Sequence, residues 1–556
     1  MNLNLLLAEP VNMPAPLGFD SWLTFWLVIV ISAVNAAMLC MAGYRFLQVL
    51  QLSNYRLSGY VSWIKEDMGA YWGRLVILTF LSSAALLITN VLLENFFVYK
   101  IMTYLGLVFY FLFVTIFVIN QFNVPKKTPL QYTHRMNRLI GVMFVLIFTA
   151  TLFLLNFTTI YVPFFKYGAV GFTPMLLPIF ILIAYFITWP YEKLNNRHFI
   201  KLAEKKLSTR DDLIRIGITG SFGKTSVKNI LATMLSEKYS VCASPYSFNT
   251  PLGLSKTINE KLQGSHQVFI AEMGARYKGD IAELCELVKP SIGVLTGIGN
   301  QHLATFKTQE TLNATKFELV EGTSGVVFFN GDKESMKPLI DKTNKTKFVS
   351  NITATDGLIH IENLKTTLKG SEFDLVTTTG RVHAKTQLLG KHNVSNILLC
   401  AFVAFHLGLT LDEIAHAIAK LTPVSHRLAL MPSANSLIVI DDAYNGSVEG
   451  ARAALDVLGE FEGKKFVITP GLVELGSEQF NSNFEFGRDL ARVADFVIIN
   501  GITNFDAISS GLVFAGFDPD KILRAGSTKQ AVEVMSKYST AGDVVLFEND
   551  LPDNFA

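Results

Sequence analysis

The sequence predicts an α-helical transmembrane bundle followed by an α/β part, and three observations predict it. The first 195 residues carry five apolar runs, each near the roughly 20 residues that a helix needs to cross a bilayer. From residue 213 onward, short Val/Ile/Phe strands alternate with helical stretches, the texture of parallel α/β sheets. Between the first of those strands and its helix lies Thr219-Gly220-Ser221-Phe222-Gly223-Lys224-Thr225-Ser226.

Composition agrees with a two-part chain. Of 556 residues, 50% are hydrophobic, 43 are Phe and only 17% are charged, low for a wholly soluble protein. The net charge of +2 gives no bulk electrostatic argument for nucleic acid. Cys40, Cys242, Cys285 and Cys400 are far apart with no C-x-x-C pair. That spacing suggests buried free thiols rather than a disulfide framework or a zinc site.

The apolar runs lie near Trp22–Met41, Leu75–Leu93, Ile101–Asn120, Leu139–Phe157 and Phe172–Trp189, a membrane domain over 1–195. No basic residue precedes the first, which argues against a cleaved signal peptide. Loop charges set the orientation. Arg45, Arg56, Lys65 and Arg74 follow the first run, and Lys126, Lys127, Arg135 and Arg138 follow the third. Lys193, Arg197, Lys201, Lys205 and Lys206 follow the fifth, while the loops after the second and fourth hold only Lys100 and Lys166. The alternation places the N-terminus outside and everything after the fifth run in the cytoplasm. The first inner loop, Tyr44 to Trp63, mixes apolar residues, Tyr and Trp with Arg. It reads as an interfacial amphipathic anchor, the alternative being contact with a lipid headgroup. The runs show no obvious pair of buried charges, so an ion pathway is not indicated. Residues 196–212 read as a basic linker helix.

The α/β part opens on the organising stretch. The apolar run Leu213, Ile214, Ile216, Ile218 ends in a glycine turn, and a helical pattern begins at Thr225. Gly220 and Gly223 let several backbone N–H groups point at one anion. Lys224 adds a point charge, the Thr225 hydroxyl can join a Mg²⁺ shell, and the helix dipole points at the same place. The loop is therefore a nucleotide-phosphate cradle, in a shorter form than the common G-x-x-x-x-G-K-[ST]. A cradle for ATP belongs in the cytoplasm, in agreement with the loop charges.

Further strands are expected at Gln267–Glu272, Ile292–Gly297, Gly325–Asn330, Leu437–Asp441, Lys465–Thr469, Phe496–Asn500 and Val544–Phe547. They divide into one sheet before about residue 423 and one after. Residues 351–388, Thr-rich and alternating, read as a small β-hairpin insertion. Glu272 ends a strand, where a Mg²⁺-directed acid sits beside a phosphate loop. His302 follows another strand end, where a metal or phosphate role is open. Lys316 lies on an expected helix and alone reads as a solvated lysine.

The ordered series TGSFGKTS, FNTPLGL (248–254), AEMGA (271–275), GIGNQHL (297–303), ATKFE (314–318), NGD (330–332), GKHNVSN (390–396) and IDDAYN (440–445) resembles the Mur ligases. These are ATP-dependent amide-bond-forming enzymes of peptidoglycan synthesis. The D-alanyl-D-alanine-adding branch shares the DDxYN and ELG (474–476) blocks, and folylpolyglutamate synthetase is a more distant relative. The resemblance covers residues 213–550. It implies a P-loop central domain over 213–423 and a Rossmann-like C-terminal domain over 424–556. It implies that Gly220, Ser221, Gly223, Lys224, Thr225 and Ser226 hold ATP phosphates, with Asn330, Asp332, Arg427, Asp442, Tyr444 and Asn445 completing the nucleotide site. Thr225, Glu272, His302 and Lys316 would serve two Mg²⁺ ions, Lys316 as a carbamylated lysine. Lys224, Lys316, Arg427 and His302 would be catalytic, and His392 and Asn393 mainly structural.

Three features depart from the family pattern. Apolar runs stand in place of an N-terminal UDP-sugar-binding domain. The lysine-glycine-serine-arginine run expected after Gly542–Leu546 is replaced by Phe547-Glu548-Asn549-Asp550. Asn483 stands where a histidine often follows ELG. The expectation is a multi-pass cell-membrane ligase that joins an amino acid or short peptide to a cell-envelope precursor. That precursor would carry its carboxylate on a lipid or glycan at the membrane. Polyglutamate synthesis and ATPase-driven precursor transport are the alternatives.

Overall fold

The computed structural model describes residues 19–53, 55–66, 73, 77, 80, 96–122, 129–161, 170–245, 247–299, 306, 308–332, 334–355, 357–424, 426–431, 437–443, 447–473 and 475–549. The chain divides after Asn195 into two compact units.

The first unit is helical. Its elements are α1 (Phe19–Ala42), α2 (Tyr44–Leu52), α3 (Leu57–Glu66), α4 (Phe96–Phe122), α5 (His134–Tyr161), a 3₁₀ turn over Val170–Leu176 and α6 (Leu177–Ser208). Four of the five expected runs fall on these helices; the second (75–93) lies outside the described residues apart from Ile77 and Phe80. Among the described residues three segments are long and apolar enough to cross a membrane: Phe25–Ala42, His134–Asn156 and Val170–Ser208. Trp22, Phe25, Trp26 and Val30 are exposed along α1, while Ile31, Ala36 and Leu39 face the bundle. The first inner loop, read as an amphipathic anchor over Tyr44 to Trp63, forms α2 and α3. Tyr44, Phe46, Leu47, Val49, Leu50, Tyr60 and Trp63 pack into the same core as Met143 and Ile181.

The bundle interior holds a polar cluster that the sequence did not announce. Asn35 Nδ2 donates to Thr151 Oγ1 (3.0 Å) and Thr173 Oγ1 (3.1 Å), and the Tyr110 hydroxyl donates to Asn35 Oδ1 (2.7 Å). All four residues are buried. In an apolar medium such groups persist only when paired, so the cluster fixes how α1, α4, α5 and the 3₁₀ turn meet. Helix α6 contains Pro190 and runs on to Ser208, taking in most of the residues expected to form the linker helix.

The second unit holds two parallel-type sheets. The first contains β1 (Ile214–Thr219), β2 (Val241–Ala243), β3 (Val268–Glu272), β4 (Ile292–Leu295), β5 (Val326–Asn330) and β6 (Lys347–Ser350), ordered β2-β3-β1-β4-β5-β6. Every pairing in it is parallel. Its connecting helices are α7 (Lys224–Leu235), α8 (Pro251–Glu260), α9 (Asp280–Val288), α10 (Gln309–Gly322) and α11 (Lys337–Lys342). Both faces are covered: Val268 and Ile270 of β3 join the core under α7, while Phe269 and Ala271 join the core under α9 and α10. This two-sided burial is why the strands read as unbroken apolar runs.

Where a hairpin was expected, three strands form an antiparallel sheet: β7 (His360–Thr367), β8 (Gly370–Thr377) and β9 (Gly380–Thr386). Then come α12 (Lys391–His406) and α13 (Leu411–Ala419). The last sheet comprises β10 (Ala429–Met431), β11 (Ile438–Asp442), β12 (Lys465–Thr469), β13 (Phe496–Asn500), β14 (Ile522–Ala525) and β15 (Val544–Glu548). Its order is β10-β11-β15-β12-β13-β14, with β10 alone antiparallel. Helices α14 (Val448–Gly459), α15 (Gln479–Ala491), α16 (Phe505–Phe514) and α17 (Thr528–Met535) complete it.

Candidate nucleotide and metal site

Open parallel sheets place ligands at the carboxyl ends of their strands. Here Thr219, Glu272, Leu295 and Asn330 end β1, β3, β4 and β5 at one edge. The glycine turn follows β1, and Gly223 caps α7 in the left-handed region (φ 78°), which glycine adopts freely. A Cβ at Gly220 would strike the Thr296 hydroxyl and come within 2.9 Å of the Gly297 carbonyl. The loop is pinned from β4: Ser221 N donates to Gly297 O (2.8 Å), and the Thr296 hydroxyl donates to Phe222 O. The curl therefore needs both glycines, and it presents backbone donors at the start of a helix.

Lys224 Nζ donates to the carbonyls of Gly220 (2.7 Å) and Ser221 (3.0 Å). Burial pushes its ammonium down to about 8, and Arg427 adds to this against the pull of Glu272. Thr225 Oγ1 donates to Glu272 Oε2 (3.0 Å). A hydroxyl and a carboxylate so paired are the hard oxygen donors that Mg²⁺ takes, so these residues fit a nucleotide-bound magnesium. Among the described residues no three His, Cys, Asp or Glu side chains converge on a metal position. His302, Tyr444 and Asn445 lie outside the described residues.

Glu272 carries contacts that sequence reasoning missed. Lys228 Nζ lies 3.1 Å from its Oε2, with both side chains 2% exposed. Asn249 Nδ2 donates to Oε1 (3.2 Å). A Cβ at Gly274 would sit 2.7 Å from the Asn249 side chain, which explains the glycine two residues after Glu272. The i, i+4 spacing of Lys224 and Lys228 was the available signal, since it puts both on one helix face.

Lys316 is not a solvated lysine. It is 2% exposed on α10. Burial, reinforced by Lys224, holds its ammonium well below the ordinary range.

The C-terminal sheet contributes Arg427, whose Nη2 lies 3.4 Å from Thr225 Oγ1. Its neighbours His426 (φ 60°) and Leu428 (φ 47°) are both in the left-handed region. Such backbone costs about 1–3 kcal/mol per residue and persists where surrounding contacts impose it. Those contacts are His426 Nδ1 with Asp441 Oδ2 (2.7 Å) and Leu428 N donating to Asp442 Oδ1 (3.0 Å). Asp441 and Asp442 thus fix the turn that delivers Arg427.

Asp442 is itself perturbed: burial raises its carboxyl to about 6. Glu548, in register with it on β15, is fully buried and raised well above the ordinary range by burial and by the Asp442 charge. Asn330 and Asp332 meet Ser395 of α12. Asn330 Nδ2 donates to Ser395 Oγ (2.8 Å), and the Ser395 hydroxyl donates to Asp332. Asn483, fully buried, holds Leu472, with its Oδ1 accepting from Leu472 N (2.8 Å) and its Nδ2 donating to Leu472 O (2.9 Å). A cavity of about 320 Å³ opens beside α7, lined by Ser226, Asn229, Asn393, Thr422, Pro423 and Arg427 among others. Asn393, read as mainly structural, donates from Nδ2 to Leu389 O (2.9 Å) and also lines this cavity.

Comparison with known proteins agrees with this geometry. Residues 218–404 match the Mur ligase middle domain. The chain is 31% identical over 316 residues to the UDP-N-acetylmuramoyl-tripeptide–D-alanyl-D-alanine ligase of Mycobacterium bovis, covering 54% of this chain and 61% of that protein. It is 30% identical over 367 residues to the protein of the same name from Mycobacterium leprae, covering 60% and 70%. The chain thus spans about three-fifths of the length of the first curated relatives it matches. The MurF ligase of Thermotoga maritima, solved in complex with ADP, superposes with a TM-score of 0.57 at 26% identity, covering 64% of this chain and 80% of that one. MurF from Acinetobacter baumannii shares the fold with the same TM-score of 0.57 at 23% identity, covering 64% and 77%. Strand order, phosphate loop and sequence likeness agree, and the chain belongs to the Mur ligase family.

Proposed function

We propose that this chain is a membrane-anchored, ATP-dependent carboxylate–amine ligase that works through an acyl phosphate on a cell-envelope precursor. The observation that carries the reading is the meeting of Lys224, Thr225 and Glu272 from one sheet with Arg427 from the other. A phosphoryl donor and a carboxylate repel each other, so their encounter needs a concentrated positive field. Lys224 and Arg427 supply it from two sides, and the Gly220–Gly223 backbone orients the phosphates. Magnesium, when bound at Thr225 and Glu272, adds charge neutralisation. The cavity beside α7 would receive the purine and ribose.

A carboxylate oxygen of the acceptor attacks the γ-phosphorus of ATP, and ADP leaves. The amine nitrogen then attacks the acyl carbon, phosphate leaves with the C–O electron pair, and the nitrogen loses a proton. Lys316 is suited to carbamylation because burial favours its neutral amine, the form that adds carbon dioxide. The resulting carbamate would give a second magnesium an anionic ligand. The named relatives join D-alanyl-D-alanine to a UDP-linked muramoyl tripeptide. In this chain the apolar helices favour an acceptor held on a lipid or glycan at the membrane, with a short peptide or amino acid as the amine.

Hydroxylamine tests the chemistry without knowledge of the amine. Full-length protein, ATP, Mg²⁺ and a membrane extract should yield an ATP-dependent hydroxamate, lost in Lys316→Ala at any bicarbonate concentration. ATP hydrolysis with no hydroxamate from any envelope fraction would refute the ligase reading.

A further inference from the structure

Lys228 has no part in the chemistry just described, yet its ammonium sits on the carboxylate expected to serve the metal. It lies one helical turn beyond Lys224 and is 2% exposed, as is Glu272, with Nζ 3.1 Å from Oε2. That oxygen also accepts the Thr225 hydroxyl (3.0 Å), and Oε1 accepts from Asn249 (3.2 Å). A buried carboxylate left without a cation is strongly unfavourable, so Lys228 satisfies Glu272 before any ligand arrives. The surroundings add to this. Lys224 also faces the Glu272 charge, and Arg427 reaches within 3.4 Å of the Thr225 hydroxyl bound to Glu272, so three cations lie near one carboxylate; Asp442 is engaged with the Leu428 amide and Arg427. A bare divalent cation meets net repulsion there. A polyphosphate is drawn in and brings the negative charge that makes room for the metal.

We infer that Lys228 is a positioning residue that holds Glu272 against Thr225 and makes the metal site dependent on nucleotide: Glu272 takes a divalent cation only as part of a nucleotide–metal complex. The inference rests on the ligase reading only for the identity of the nucleotide.

Manganese binding to the full-length protein, followed by electron paramagnetic resonance, tests it. Without nucleotide the native protein should bind Mn²⁺ weakly, and ADP should bring Mn²⁺ onto the protein. Lys228→Met should bind Mn²⁺ about tenfold or more tightly without nucleotide, because the freed carboxylate recruits a cation. Lys228→Gln keeps a hydrogen-bond donor but no charge, and should do the same if charge is the cause. It also serves as the gentler variant should Lys228→Met fail to fold. Adding Glu272→Gln to either should abolish the gain. Unchanged or weaker Mn²⁺ affinity in Lys228→Gln, with ADP binding retained, would overturn the inference. Neither acceptor nor amine enters the measurement, so its result is separate from that of the hydroxamate test.

Discussion

Lys224 sets the behaviour of the site at the scale of single residues. Its ammonium is held at about 8 against an ordinary 10.5. The protonated form binds phosphate, so ADP affinity should be flat below pH 8 and fall about tenfold per pH unit above it. Stability runs the other way. Between pH 8 and 10.5 the unfolded chain binds more protons at this group than the folded chain, so its contribution to stability rises with pH. Calorimetric ADP titration and thermal unfolding over that range should therefore diverge; parallel loss of both would show that Lys224 is not the titrating group. Several residues of the site were legible in the sequence because strand ends are. Thr219 and Glu272 close apolar runs, and in a parallel sheet such ends share one edge. Lys228 was missed despite its i, i+4 spacing from Lys224, because a lysine inside a helix reads as solvated unless the neighbouring strand is known to end in a carboxylate. Lys316 alone read as solvated for the same reason, and only the family motif singled it out. The left-handed pair around Arg427 leaves no trace in composition at all.

Among elements, strand texture carried the α/β part and apolar length carried the helices. The expected strands 267–272, 292–297, 325–330, 437–441, 465–469, 496–500 and 544–547 coincide with β3, β4, β5, β11, β12, β13 and β15 to within two residues. The 351–388 insertion was read as two strands because Thr-rich alternation marks strand texture without counting turns. Gly370, at φ 123°, begins β8, and Gly380 begins β9 after a second turn. The linker helix expected over 196–212 is the end of α6, since helix-forming Lys, Glu and Leu carry that helix onward after Pro190 to Ser208. The Asn35 cluster shows what hydropathy hides: one asparagine in an apolar run scarcely changes its mean. Asn35→Leu should leave the Tyr110, Thr151 and Thr173 hydroxyls short of a partner and destabilise the bundle by about 1–3 kcal/mol. A lower unfolding midpoint in detergent, with ADP binding intact, is the expected result; an unchanged midpoint would show that the cluster does not hold the helices together.

At the scale of the whole molecule, the chain joins a helical unit that holds segments long enough to span a membrane to a unit of the Mur ligase family. Its nucleotide half was readable from ordered motifs. Its acceptor half was not, because the chain leaves the family pattern there: Phe547-Glu548-Asn549-Asp550 stands in place of the basic run, and Glu548 is buried. The activity proposed for the assembled site is amide-bond formation on an envelope precursor at the membrane. The most direct test incubates membranes containing the full-length protein with ATP, Mg²⁺ and a panel of labelled amino acids and dipeptides. Lipids and glycans are then extracted. The account predicts ADP release that depends on one amine, with that label recovered in the lipid or glycan fraction and lost in Arg427→Ala. ADP release indifferent to every amine, with no label transferred, would contradict it.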